Sequence, residues 1–218
     1  MQIHHLLQSR SIAEKFIAEL RDINVQKDML RFRRNVERVG EILAYELSKT
    51  LEYKKDTVET PIGKADVFIP TEEIVICSIL RAGLPLHNGI LGYFDTAENT
   101  FISAYRHHTS DNEFEIKVEY LASPSLENKI LILADPMLAT YGSFVTVFEA
   151  LKPMGTPKEI HLVSVIGAKP GIKFVSDNLP ERSHLWIAAI DEHLNEKGYI
   201  VPGLGDAGDL SFGPKLQH

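Results

Sequence analysis

Apolar residues recur along this chain with two different spacings. Within residues 28–50, Phe32, Val36, Val39, Leu43 and Leu47 stand three or four apart, which predicts a helix with one apolar face. Residues 10–22 predict a shorter helix before it. Four dense apolar runs follow, at residues 74–80, 130–134, 160–167 and 185–190, and these predict central strands. Beyond Ser143 the pattern changes again, with Phe144, Val147, Phe148 and Leu151 at i, i+3, i+4 and i+7, the face of another helix. Strands alternating with helices predict an α/β fold, a mainly parallel central sheet with helices on both faces. Binding loops of such a sheet gather at the carboxyl ends of its strands.

Residues 101–121 follow a third pattern. Phe114, Ile116, Val118 and Tyr120 alternate with Glu115, Lys117 and Glu119, the period of a half-exposed strand. The preceding T-S-D-N-E supplies a turn, so the segment reads as a β-hairpin arm. His107 and His108 lie on it, but adjacent side chains on a strand point to opposite faces, and no complete metal-ligand set accompanies them.

Two stretches carry candidate chemistry. Residues 129–143, K-I-L-I-L-A-D-P-M-L-A-T-Y-G-S, read as strand, loop and helix. The strand delivers Asp135 to its carboxyl end, and the loop aims backbone N–H groups and a hydroxyl over a helix N-terminus. That geometry suits a phosphate, because unpaired N–H groups and the helix dipole both favour an anion. The acid beside it suits ribose hydroxyls or a magnesium ion. Residues 198–209, G-Y-I-V-P-G-L-G-D-A-G-D, are too rich in glycine for a regular element and predict a tight loop whose backbone approaches a ligand. Tyr199, Ile200, Val201 and Leu204 are apolar and should hold that loop to the core.

Both stretches resemble the uracil phosphoribosyltransferase family. D-P-M-L-A-T-x-G-S is similar to its phosphoribosyl pyrophosphate (PRPP) loop, and the stretch from Gly198 to Asp209 to its uracil-recognition loop. I-L-R-A-G-L at residues 79–84, V-E-T-P-I-G at 58–63, and the segments L-R-D at 20–22, F-R at 32–33 and L-A-Y-E at 43–46 extend the likeness over nearly the whole chain. The resemblance implies a single phosphoribosyltransferase domain over residues 1–218. Its N-terminal helices would occupy about 10–50, its hairpin arm about 101–121 and its base-recognition loop about 198–213.

The reaction implied is uracil plus PRPP giving UMP and diphosphate, in pyrimidine salvage. Arg81 and Arg106 become the expected diphosphate contacts, Asp135 the ribose contact, and residues Thr140, Tyr141, Gly142 and Ser143 the cradle of the 5′-phosphate. The PRPP loop as a whole also takes in Pro136, Met137, Leu138 and Ala139. Asp206 is expected near magnesium, which would be the cofactor, held mainly through PRPP with no protein ligand directly assigned. Arg106, Asp135 and Asp206 are the expected catalytic residues. Backbone groups of Ile200, Gly205, Asp206 and Ala207 would match the donors and acceptors of uracil. Cytosine presents an amino group where an acceptor is expected, a mismatch costing roughly 1–3 kcal/mol for each buried group left unpaired.

Tyr141 departs from the family loop, which has glycine there. Were that backbone held at positive φ, tyrosine would be strained by about 1–3 kcal/mol, but Gly142 remains for the special geometry. Leu210 departs as well, standing where a Lys or Arg is usual, so a positive charge near the diphosphate must come from elsewhere or be lost. These departures are the only support for a second reading, a catalytically weak homologue acting as a uracil- or nucleotide-binding regulator. An RNA-binding regulator of the same broad fold is a third.

Composition narrows these choices. At 218 residues, with 44% hydrophobic and 24% charged residues, one soluble globular domain is expected. No run reaches the roughly 18 apolar residues of a membrane span, and residues 1–10 lack a signal-peptide pattern. The single cysteine, Cys77, falls mid-strand, where a buried inert thiol is expected; with no disulfide framework, the cytoplasm is the expected compartment. A net charge of −7 argues against nucleic-acid partners, and demands that cations be gathered locally around an anionic substrate. By resemblance the assembly is a homodimer or homotetramer, for which the amphipathic N-terminal helices are a candidate interface. GTP activates some family members, although no motif here assigns that property.

Overall fold

The central strands are laid down by runs with almost no polar side chain. The computed structural model describes residues 1–108, 114–139 and 143–216. In chain order, β1 (Gln2–His5) precedes α1 (Ala13–Arg21) and α2 (Met29–Ser48). A ribbon of β2 (Tyr53–Thr60) and β3 (Gly63–Pro70) leads to β4 (Ile74–Leu80), α3 (Gly83–Leu91), β5 (Glu98–His108) and β6 (Phe114–Ala122). Then come β7 (Ile130–Ala134), β8 (Met137–Leu138), α4 (Ser143–Leu151), β9 (Glu159–Ala168), α5 (Lys169–Asn178) and β10 (Ser183–Asp191). The chain closes with β11 (His193–Leu194), β12 (Ile200–Val201) and α6 (Ala207–Phe212).

The main sheet runs β1-β10-β9-β7-β4-β5-β6, with β8 also paired to β9. All its pairings are parallel except β5 with β6. Period-two alternation then divides the core in two. Ile74, Ile76, Ile130 and Ile132 face α1, α2 and α3, whereas Val75, Cys77, Leu131 and Leu133 face α4 and α5. Burying a large aliphatic or aromatic side chain contributes about 1.5–3 kcal/mol, so a sheet covered on both faces accounts for most of the stabilisation.

Asp28 caps α2 by accepting from the Arg31 backbone N–H at 3.1 Å. The apolar stripe of this helix, Phe32, Val36, Val39, Leu43 and Leu47, is wholly buried within the chain's own core, so it serves packing and offers no surface to a second subunit. Exposed apolar groups sit elsewhere, on the β2–β3 ribbon, a separate two-stranded sheet where Ile62 is 99% and Phe68 is 68% exposed, and around the N-terminal helices at Ile23, Leu30 and Tyr45. β1 was not legible in the pattern of apolar positions: Q-I-H-H is short and polar, and only its parallel pairing with β10 makes it a strand.

Candidate active site

Parallel pairing of β4 with β7 sets Ser78 opposite Ala134, so the chain leaves both strands side by side. Arg81 follows one strand and Asp135 the other. Gly83 permits this closeness. A Cβ there would lie 2.7 Å from the Ala134 carbonyl oxygen and 2.9 Å from Ser78 Oγ, so a larger residue would push α3 off the end of β7. The Leu80–Arg81 peptide is cis. Arg106 lies on β5, opposite Ile116, three residues beyond Ser103, which is itself the partner of Leu80. For this stretch of the hairpin the structure describes the backbone.

Asp135 Oδ1 accepts the Met137 backbone N–H at 3.2 Å, and its own N–H donates to Val163 O at 3.2 Å. The Pro136 carbonyl accepts from Val165 and Ile166 at 3.1 and 3.0 Å. Met137 and Leu138 continue beside β9, and Leu138 and Ala139 are buried. Residues Pro136 to Ala139 are therefore moored to the sheet and fix where the loop begins, while Ser143 opens α4. Thr140, Tyr141 and Gly142 lie outside the described residues.

The base-recognition candidates form the opposite wall. β11 and β12 pair as a short hairpin, turned by Asn195, whose Oδ1 accepts from the Lys197 and Tyr199 N–H groups. Ile200 is buried, and Gly203 has φ +62° with a would-be Cβ 2.1 Å from the Ile200 carbonyl oxygen, a position only glycine can fill. Gly205, Asp206 and Ala207 follow directly.

A long-range clamp holds this loop. Arg21 grips both carboxylate oxygens of Asp191 at 2.8 Å and donates to Gly203 O at 3.0 Å, while Asp191 Oδ2 also accepts the Gly203 N–H at 3.0 Å. Gln26 Nε2 adds bonds to Leu20 O and Leu204 O. A bidentate Arg–carboxylate pair gives both strength and geometric definition, so α1 and the end of β10 together shape residues 200–205.

Asp206 caps α6, its Oδ1 accepting from the Asp209 N–H at 3.0 Å, and its Oδ2 bonds Lys215 Nζ at 2.8 Å. Burial raises its proton affinity, but the Lys215 ammonium and the backbone N–H groups of Asp209 and Gly208 outweigh that and hold its carboxyl below the ordinary range. Arg81 Nη2 reaches across to Asp209 Oδ1 at 2.9 Å and to Gly213 O at 3.2 Å. The two walls thus meet at Arg81. Leu210 is turned into the core, partly buried. Cys77 is fully buried and its thiol is pushed up to about 12 by burial, which leaves it inert at neutral pH.

Sequence reasoning missed Arg21, Gln26, Arg33, Asp191 and Lys215 as shapers of the site. Arg21 and Arg33 stood inside segments noticed only for their likeness to the family. Asp191 had one usable signal, an acid directly after an apolar strand, the same placement that singled out Asp135.

A model of the uracil phosphoribosyltransferase family matches residues 7–214. A Porphyromonas gingivalis uracil phosphoribosyltransferase is 48% identical over 216 residues, covering 99% of this chain and 100% of its own. One from Methanothermobacter thermautotrophicus is 39% identical over 188 residues, covering 85% of each chain. The solved structure of an Aquifex aeolicus protein superposes with a TM-score of 0.85 at 31% identity, covering 99% of this chain and 100% of that one. With a family model matched over residues 7–214 and relatives at 39–48% identity over most of its length, the chain belongs to the uracil phosphoribosyltransferase family.

Proposed function

We propose that this protein transfers the 5-phosphoribosyl group of PRPP to N1 of uracil, giving UMP and diphosphate in pyrimidine salvage. The observation that carries the reading is the junction at Arg81, where the residue after β4 bonds Asp209 of α6 and the Gly213 carbonyl at the end of that helix, directly after the uracil candidates. The bond that breaks joins the anomeric carbon to the diphosphate oxygen, and its electron pair leaves with diphosphate. Uracil N1 supplies the pair for the new bond and releases its proton. Catalysis here is placement of two reactants together with dispersal of charge on the leaving group.

Arg81 and Arg106 take the diphosphate in this reading. Asp135 holds the ribose hydroxyls, and the loop from Pro136 through Ser143 takes the 5′-phosphate. Main-chain groups of Ile200, Gly205, Asp206 and Ala207 read the base. Among the described residues no group of three or more His, Cys, Asp or Glu converges on one point, and Asp206 and Asp209 are each bonded to a cation. That donor set fits a magnesium ion that arrives on PRPP and keeps its own waters, with Asp206 nearest to it. Bound there, magnesium would offset charge on the diphosphate.

The working form in this reading is a homodimer or homotetramer, supported by the exposed apolar residues of the β2–β3 ribbon, and its compartment the cytoplasm. No helix among the described residues is long and apolar enough to cross a membrane. The test is diphosphate release from PRPP and Mg²⁺ with uracil or with cytosine, each with and without GTP. Uracil-dependent release that disappears in Asp135→Ala and in Arg106→Ala is expected, with cytosine slower by tenfold or more, on the order of one unmatched hydrogen bond. Equal rates for the two bases would refute the base assignment, and UMP binding without turnover would favour a regulator.

A further inference from the structure

Leu210 leaves the expected positive charge missing beside Asp209, yet the chain returns a cation to the same place. Beyond α6, residues 213–215 fold back until Lys215 Nζ lies 2.8 Å from Asp206 Oδ2 and 3.6 Å from Asp209 Oδ1. Arg81 holds Asp209 from the other side at 2.9 Å. The fold-back is fixed by Arg81 Nη2 on Gly213 O, and at α6 by Arg33 Nη1 on Ser211 O at 2.6 Å. The Lys215 side chain is only 37% exposed. Burial alone would pull its ammonium down, but Asp206 and Asp209 outweigh burial, and the group stays charged above its ordinary range.

We propose that Lys215 is a positioning residue for PRPP: by holding Asp206 and sharing Asp209 with Arg81, it frees Arg81 to meet the diphosphate. This rests on the reading of Arg81 given above. The charge balance gives the reason. Two carboxylates and two cations make a neutral quartet; without Lys215, Arg81 on Asp209 is the one cation left to the group, which then carries a net negative charge. A strongly anionic diphosphate would then be repelled, and would compete with Asp209 for the one remaining cation. UMP has no diphosphate, so its binding does not depend on this balance.

The experiment is calorimetric titration of Mg-PRPP and, separately, of UMP into wild type, Lys215→Met and Lys215→Arg. Lys215→Met should weaken PRPP about tenfold, the effect of one unit charge a few ångströms from an anion at surface dielectric, and leave UMP within about twofold. Lys215→Arg should restore PRPP binding. In turnover, the KM for PRPP should rise in Lys215→Met with kcat little changed. Unchanged PRPP affinity in Lys215→Met would overturn the proposal. An equal loss for PRPP and UMP would overturn it too, because it would mean that the tail merely props the uracil loop. A wild type that binds PRPP but makes no UMP from uracil would refute the transferase reading and leave the Lys215 result standing. A wild type that does not bind PRPP would refute both.

Discussion

At the end of the sheet opposite the site, three strands bring histidines into one stack whose protonation should set the acid limit of the fold. His4 on β1 stacks on Trp186 with ring centroids 3.7 Å apart, and its Nε2 lies 3.2 Å from His184 Nδ1. His161 on β9 is fully buried, accepts the Trp186 indole N–H at Nδ1 over 3.0 Å, and lies 3.3 Å through Nε2 from Glu159. Burial first, then the charges of His184 and His4, pushes the His161 pKa down to about 3. A lowered histidine pKa means that the native state holds the neutral ring. Its contribution to stability is therefore complete above the unfolded value of 6.5 and falls as pH drops from 6.5 toward 3, at about 1.4 kcal/mol per pH unit. Between pH 7 and pH 5 that amounts to about 2 kcal/mol from this one ring. The assay is urea unfolding at both pH values for wild type and His161→Gln, at one protein concentration because assembly shifts apparent stability. Glutamine can still accept from Trp186 but does not titrate. Wild type should lose about 2 kcal/mol more than the variant on acidification. Equal losses would refute the reasoning, and would mean that the stack opens or admits water before His161 is charged.

Two further predictions concern the site. Asp191→Asn breaks the grip of Arg21, and should cost about 3 kcal/mol of stability, below the upper range for a broken buried pair because the Arg21 side chain keeps 23% exposure. The same change should raise the KM for uracil by more than that for PRPP, since Asp191 holds Gly203; steady-state kinetics with each substrate varied decides it, and an unchanged uracil KM would refute the clamp. Gly83→Ala puts a methyl group 2.7 Å from the Ala134 carbonyl oxygen, so Arg81 and Asp135 should separate, lowering kcat/KM for PRPP by about 10²-fold, the usual penalty of a misplacement near 1 Å. A variant with full activity would show that α3 can shift without moving Arg81.

The local pattern of the chain determined most of its elements and marked much of the candidate site. Residues 74–80 and 130–134 read as central strands, and β4 and β7 occupy those bounds; 160–167 and 185–190 lie within β9 and β10. These runs are legible because a strand buried on both faces has no room for polar side chains, whatever its neighbours. Asp135 and Arg81 were legible for the same reason: each directly follows such a run, and the carboxyl ends of parallel strands are where loops meet. Gly203 and Gly205 were marked by composition, and the fold supplies the cause, with φ values of +62° and +92°.

Tertiary structure alone decided the rest. β1 is a strand only because β10 pairs with it, since Gln2–His5 carries no periodic signal of its own. The α2 stripe could have met a second subunit or the core, and the sheet that fills its apolar face decided for the core. The clamp of Arg21 on Asp191 spans 170 positions of sequence, and Lys215 meets Asp206 only after α6 turns the chain back. Local sequence states which side chains are charged, but not which opposite charge the topology will bring within 3 Å. Pairings of that kind depend on the strand order β1-β10-β9-β7-β4-β5-β6, which no single segment encodes.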